Sequence, residues 1–436
     1  MSKNQHLPIA IKTANWLDQH VVKTEHGITW DISKSFKGPW RYYDEASMYA
    51  GASGIVKFYL ELAKISGDQR YLDTAVAAGH ELAARALVND PQLDKAFSRY
   101  AFTTGLSGVA QALDWINQKH HESVFDDAIT KILNGIVTDQ KQDGSWSGQI
   151  GIVADGGTAL LLGRLGSKYL IDGWQDALIK FGDYILAHKQ VDEHGQSFYV
   201  GLDLKFVGGP IGKFNTGFPL GPSGVAFTLL KLAELTGENR FIDGTKGIRE
   251  FYEYYNHGKG LLLPHYHPDT EHICYVGYCG GPVGTARYFY ELAKQTDDAH
   301  AVDDFEAAIA GLERIQAPKK RSAGYWETDN YCCGTAGILQ LFTGAYLVTN
   351  NQDYLKSAQQ TATILVERAT QNDRFAYWKQ AFERKNPQNV TAALGFYDGA
   401  AGIASYLLQL GEVENGQLST HRFIDDPYPA VWQQNR

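Results

Sequence analysis

No apolar run in these 436 residues approaches the roughly 18 that a membrane-crossing helix needs. The opening MSKNQHLPIAIKTANWLDQH lacks the apolar stretch of about seven residues, and the small-residue cleavage site, of a secretory signal. A soluble, cytoplasmic protein is therefore expected. Basic residues are in deficit, 40 Lys+Arg against 49 Asp+Glu for a formal net charge of -9, and this excludes a nucleic-acid binder acting through bulk charge. No glycine-rich stretch carries the lysine of a phosphate-cradling loop. Clustered aspartates able to hold a diphosphate are also missing, and the pairs Asp126–Asp127 and Asp303–Asp304 read as solvated helix faces. Cysteine is scarce. Cys274, Cys279, Cys332 and Cys333 are too few for a disulfide framework in so long a chain, and their clustering points to a metal or to reactive thiols.

What is abundant is glycine, 45 residues, many of them in one recurring pattern. A Gly-x-x-Gly or near variant precedes an amphipathic helix, a polar turn and a second helix. The copies begin GASG at Gly51, GLSG at Gly105, GGTA at Gly156, GPSG at Gly221, GPVG at Gly281, GTAG at Gly334 and GAAG at Gly399. After Gly54, the residues Ile55, Phe58, Tyr59 and Leu62 fall at i, i+3, i+4 and i+7, one face of a helix. Ser66-Gly67-Asp68, Thr236-Gly237-Glu238 and Asn350-Asn351 supply the helix stops. Glycines at the head of each first helix permit close backbone approach and positive φ at a crowded turn. Seven helical hairpins, an all-α array over residues 1–436 as one domain, can stack as an open solenoid or close into a ring. Two segments break the rhythm. Residues 196–221 alternate β-branched and aromatic residues with glycines, which suggests a short β-rich insertion. Residues 261–281 crowd His265, His267, His272, Cys274 and Cys279 into a proline-interrupted loop.

Cys279 stands in Tyr-Cys-Gly-Gly-Pro-Val-Gly just before the fifth repeat, and Cys332-Cys333 stand in Tyr-Cys-Cys-Gly-Thr-Ala-Gly just before the sixth. If adjacent repeats are neighbours in space, three sulfurs converge at one rim, as for a tetrahedral zinc with three protein ligands and an open fourth position. The alternative is three small, buried, apolar cysteines.

These motifs resemble the lanthionine synthetase C-like family, the lanthipeptide cyclases and their relatives, over essentially the whole chain. The resemblance implies a seven-fold α/α toroid, with Zn2+ held by Cys279, Cys332 and Cys333. It also implies addition of a thiol to a dehydroamino acid in a modified peptide, forming a thioether. The thiol partner would be a peptide substrate or a small thiol, and a separate dehydratase would make the dehydroamino acid. Where the family places an acidic residue, a histidine and an arginine, this chain has Ile152, Leu220 and Tyr275. Leu220 and Ile152 cannot donate a proton, and tyrosine titrates far above neutrality. His265, His267, His272 and Asp155 are then the candidate donors, with His272 and Asp155 put forward as catalytic. Two other readings stand beside this one. A carbohydrate-active toroid would work with paired carboxylates among Asp44, Glu45, Asp155 and Asp398, and a non-catalytic module would hold a peptide in an aromatic-lined cavity.

Overall fold

The computed structural model describes residues 4–33, 45–95, 98–256, 260–296, 298–417 and 421–429. An N-terminal helix α1 (Leu7–Leu17) is followed by six helix pairs. They are α2 (Ala52–Ser66) with α3 (Gln69–Leu87), α4 (Leu106–Asn117) with α5 (Ser123–Thr138), and α6 (Asp155–Leu165) with α7 (Trp174–Ala187). Next come α8 (Pro222–Thr236) with the broken partner α9 (Arg240–Gly244) and α10 (Ile248–Asn256), then α11 (Pro282–Thr296) with α12 (Ala299–Arg314), and α13 (Thr335–Thr349) with α14 (Gln352–Arg368). A last helix, α15 (Ala400–Glu414), ends the series. The helix opening each repeat packs on the corresponding helix of the next, and α15 packs on α2, so seven inner helices close into a ring. The remaining helices form the outer layer of an α/α toroid. The seventh inner helix takes its outer partner from the other end of the chain, because α1 packs against α15. Gly411 makes this closure possible: a Cβ there would lie 2.2 Å from Asn4 Oδ1, and Asn4 Nδ2 donates to Leu408 O at 2.9 Å.

Helix ends follow the expected stops. Gly67, Gly237 and Asn350 cap α2, α8 and α13 with φ of 71°, 78° and 58°. The glycines at the helix starts act differently from expectation. At Gly51, Gly105, Gly221, Gly334 and Gly399, φ runs from -108° to -165°, so positive φ is not required. Close approach is what the second glycine of each repeat provides. A Cβ at Gly224 or Gly402 would sit 1.9 or 1.8 Å from the carbonyl oxygen of Phe218 or Phe396 in the loop that enters the helix. The third repeat shows that its register is Ala154-Asp155-Gly156-Gly157 rather than GGTA from Gly156, since Gly157 faces Ile152 O at 2.2 Å in the same way.

The inner helices are less amphipathic in space than in sequence. In α2 even Lys57 and Glu61 are buried, 2.5 Å apart, and Lys57 Nζ lies 4.8 Å from the Phe396 ring centroid and 5.4 Å from that of Phe423. The axis they face is filled by residues 421–429, a C-terminal segment that buries Phe423, Asp425 and Tyr428. Of the aspartates read as solvated faces, Asp304 turns in upon Arg249 at 3.5 Å and is mostly buried. Residues 196–221 do not form a hairpin of their own. Ser197–Phe198 pairs back with Gln190–Val191, while Phe214–Asn215 pairs with Tyr266–His267 of the histidine-rich loop, tying the two irregular segments together at one end of the ring. No helix among the described residues is long and apolar enough to cross a membrane.

Because the Gly402 position meets a backbone oxygen that cannot move away as a side-chain end can, Gly402→Ala is expected to destabilise the protein by about 3 kcal/mol, the upper range for overpacking. Urea denaturation of the variant beside the wild type measures this; an unchanged midpoint would contradict the close-packed entry.

Candidate metal and thiol centre

The loops entering the inner helices are laced together mainly by backbone hydrogen bonds, with a side-chain hydroxyl taking one place. Tyr49 N–H donates to Thr103 O at 2.9 Å, Thr103 Oγ1 to Val153 O at 3.4 Å, and Val153 N–H to Pro219 O at 3.2 Å. Cys279 N–H donates to Cys332 O at 3.0 Å, Cys332 N–H to Tyr397 O at 2.9 Å, and Tyr397 N–H back to Tyr49 O at 2.9 Å. The link absent from this round runs from Pro219 to Cys279, where proline has no N–H to give. Each of these residues stands just before its inner helix, and all of them line a cavity of about 600 Å3 at the mouth of the toroid. One position per repeat is thereby set around a single axis.

Two of those positions are Cys279 and Cys332, and Cys333 follows. The three sulfurs lie within 4.8 Å of one another, with Cys279 Sγ and Cys333 Sγ 3.4 Å apart. Sulfurs around a tetrahedral ion with Zn–S of about 2.3 Å are roughly 3.8 Å apart, so this donor set fits a zinc ion with side-chain adjustments of no more than about 1 Å. Asn330 Oδ1 accepts from Cys333 N–H at 2.8 Å, and Gln380 Oε1 accepts from the N–H of Asn330 at 3.0 Å, which braces the sixth-repeat loop. The thiols are strongly coupled. Hydrogen bonds from Cys279 and Cys333, with a further one from the Tyr49 side chain, drive the Cys332 thiol well below its ordinary range. Cys279 moves the other way, because its proton is held between its two neighbours and burial disfavours its thiolate. Cys274 is separate, its sulfur 3.4 Å from Leu262 O.

The proton-donor candidates are sorted by position. His272 is 86% exposed at its side chain, 2.9 Å from Asp269, and off the cavity wall. Asp155 is buried but its carboxylate is used up within the fold: it accepts from the backbone N–H of Trp146, Ser147 and Gly148 at 2.9–3.0 Å and from Ser147 Oγ at 2.6 Å, fastening that turn to the start of α6. Neither lines the cavity that the three sulfurs share. His267 packs on Tyr255, with ring centroids 4.4 Å apart, away from the cavity. His265 does line it, stacked on Tyr275 at 3.6 Å, and burial lowers its pKa to about 3, so the ring is neutral.

The group that spacing alone had placed only among carboxylates for sugar chemistry is Asp398. It lies on the cavity wall, 4% exposed, and its Oδ1 occupies the space beside Gly395 that a Cβ would fill at 2.3 Å. Burial pushes its carboxyl up to about 7 against the pull of nearby backbone amides, and charge at Cys332 adds to the rise. Asp398 directly precedes Gly399 as Cys333 precedes Gly334 and Leu220 precedes Gly221, so aligning the repeats would have marked it. Gln380 Nε2 donates to Asp398 O at 2.6 Å and ties this loop to that of the sixth repeat. Of the other carboxylates considered with it, Asp44 lies outside the described residues, and Glu45 is exposed and off the wall. The other acidic side chain on the wall, Glu271, is engaged by Arg384 and by Lys385 at 3.8 Å. Leu220 and Tyr275 face the cavity, whereas Ile152 is core and Val153 takes the third-repeat place on the wall.

Comparison with known proteins agrees with this fold. A family model described as lanthionine synthetase C-like protein matches residues 42–420. Among solved structures, nisin cyclase superposes with a TM-score of 0.60 at 13% sequence identity, covering 84% of this chain and 89% of that one. An unsaturated glucuronyl hydrolase from Bacillus sp. GL1 covers 99% of this chain and 98% of its own at 13% identity, with a TM-score of 0.47. No curated protein matches the chain in sequence.

In metal-free protein the thiol of Cys332 is expected to ionise ahead of the other two. Its ultraviolet absorbance should titrate below the range of an ordinary thiol, and Cys279→Ala, which removes one of the hydrogen bonds holding that charge, should move the titration upward.

Proposed function

Since the chain belongs to the lanthionine synthetase C-like family, we propose that Cys279, Cys332 and Cys333 hold a zinc ion and that the protein adds a thiol across the double bond of a dehydroamino acid in a peptide. The observation that carries this reading is the convergence of three sulfurs within 4.8 Å on the wall of the cavity. A zinc ion bound by three cysteines supplies an open fourth position at which a substrate thiol is held deprotonated at neutral pH.

The chain's own residues account for the rest. As the substrate sulfur bonds to the β-carbon, the carbon–carbon π bond breaks and its electron pair passes to the adjacent amide oxygen. The resulting enolate takes a proton at the α-carbon. Asp398, buried on the wall beside the cysteine loops, is the donor we assign, and the proton released from the incoming thiol restores it over the full reaction. Its burial keeps a protonated fraction available near neutrality, the condition for an effective general acid. Val153, Pro219 and Leu220 of the third and fourth repeats give the cavity an apolar stretch of wall. The dehydroamino acid must come from a preceding elimination of water from serine or threonine, a task for a separate dehydratase. The thiol comes from the same peptide or from a small thiol.

Two measurements test this. Protein purified without an affinity metal should contain about one zinc per chain, and Cys279→Ala and Cys332→Ala should lose it; folded wild type free of metal would sink the reading. Asp398→Asn should retain zinc yet lower kcat for thiol addition to a dehydroalanine peptide by roughly 10²–10⁴. The alkaline limb of the pH–rate profile, where Asp398 loses its proton, should vanish with it.

A further inference from the structure

The C-terminal segment filling the toroid axis meets the undersides of the site loops. Phe423 lies 5.4 Å from the Tyr397 ring and 4.9 Å from that of Phe396, and it is edge-on to Trp115 at 5.7 Å. Arg164 Nη1 donates to Arg422 O at 2.7 Å. The segment therefore touches the second, third and seventh repeats at one point on the axis.

Asp425 is the residue with reach to the cysteines. It accepts from Tyr278 Oη at 2.5 Å, and its backbone oxygen accepts from Arg287 Nη1 at 2.9 Å. Arg287, on α11 and fully buried, donates through Nη2 to Tyr331 Oη at 2.6 Å. Tyr278 directly precedes Cys279, and Tyr331 directly precedes Cys332. The two rings are stacked 5.1 Å apart, and each packs on Tyr397, which directly precedes Asp398. Asp425 thus grips one tyrosine directly and the other through Arg287, and behind each tyrosine comes a sulfur.

We propose that the C-terminal segment 421–429 is a positioning element for the metal centre, with Asp425 holding Tyr278 and, through Arg287, Tyr331, so that Cys279 and Cys332 stay at ligating separation. The proposal rests on the reading of the three cysteines as metal ligands. Partners that orient ligands without touching the metal commonly change its affinity by 10–100-fold when removed. Asp425 also faces the buried charge of Arg287 at 3.5 Å, and its hydrogen bond to Tyr278 comes in addition to that. An apolar plug would fill the same space.

The test uses the full chain and cobalt(II) as probe, whose thiolate charge-transfer band reports sulfur ligation, with affinity taken from competition with a chelator. Tyr278→Phe removes only the hydroxyl and leaves Arg287 paired; Asp425→Asn keeps the shape and the backbone bond to Arg287, but weakens the bond to Tyr278 and removes the charge that faces Arg287 at 3.5 Å. The expected result is affinity weaker by about 10-fold or more and an altered charge-transfer band in both variants, measured well below their unfolding temperatures. If Asp425→Asn fails to fold because Arg287 is left uncompensated, Tyr278→Phe decides alone. Wild-type affinity and spectrum in a folded Tyr278→Phe overturn the proposal while leaving the metal reading intact. A wild type that gives no thiolate band removes the metal reading and the proposal together.

Discussion

The near-complete round of hydrogen bonds between the helix-entry loops, five of them main chain to main chain, is the constraint on which the rest of this structure depends. A hydrogen bond between neighbouring main chains fixes their separation to a few tenths of an ångström whatever the side chains are. Each loop can come that near only because the following helix presents no Cβ at its second glycine. Glycine and main-chain bond are two halves of one arrangement: the first removes the obstacle, and the second holds the loop where the obstacle would have been.

From this follows the chemistry of the mouth. A ring built of main chain leaves its side chains free to vary, so successive repeats place Tyr49, Thr103, Val153, Pro219, Cys279, Cys332 and Tyr397 at equivalent points. Three consecutive repeats then carry the reactive groups: Cys279 in the fifth, Cys332 and Cys333 in the sixth, Asp398 in the seventh. The third and fourth repeats bring Val153, Pro219 and Leu220 to the same wall, so sulfurs, a buried carboxyl and hydrocarbon share one cavity.

Below the mouth, charge is buried where an apolar core would be simpler. Lys57 with Glu61 and Arg287 with Asp425 lie on the axis, each paired within the fold. Taking such groups from water is costly unless partners replace the lost hydration. The C-terminal segment supplies several of those partners: Asp425 for Arg287, and the Phe423 ring near Lys57. Residues 421–429 are in this way built into the centre of the molecule, while α1 closes the outer layer.

Much of this was legible in the chain itself. Seven glycine pairs, apolar residues at helical spacing and the stops at Gly67, Gly237 and Asn350 determined helical hairpins and their number, because those signals are local and act through backbone sterics. The placement of Cys279 beside the fifth glycine pair and Cys332-Cys333 beside the sixth determined which residues could converge. Four things were decided only by tertiary structure. The ring draws its last outer helix from the N-terminus. The third repeat is shorter by one residue before its helix, which puts Val153 rather than Ile152 on the wall. His272, near the mouth in sequence, is turned to solvent, and Asp155 is consumed in a turn, whereas Asp398 holds a place on the cavity wall that an alignment of the repeats marks. Distance along the chain says little about which way a loop side chain points; that is set by main-chain contacts between repeats some 50 residues or more apart, and no local pattern records them.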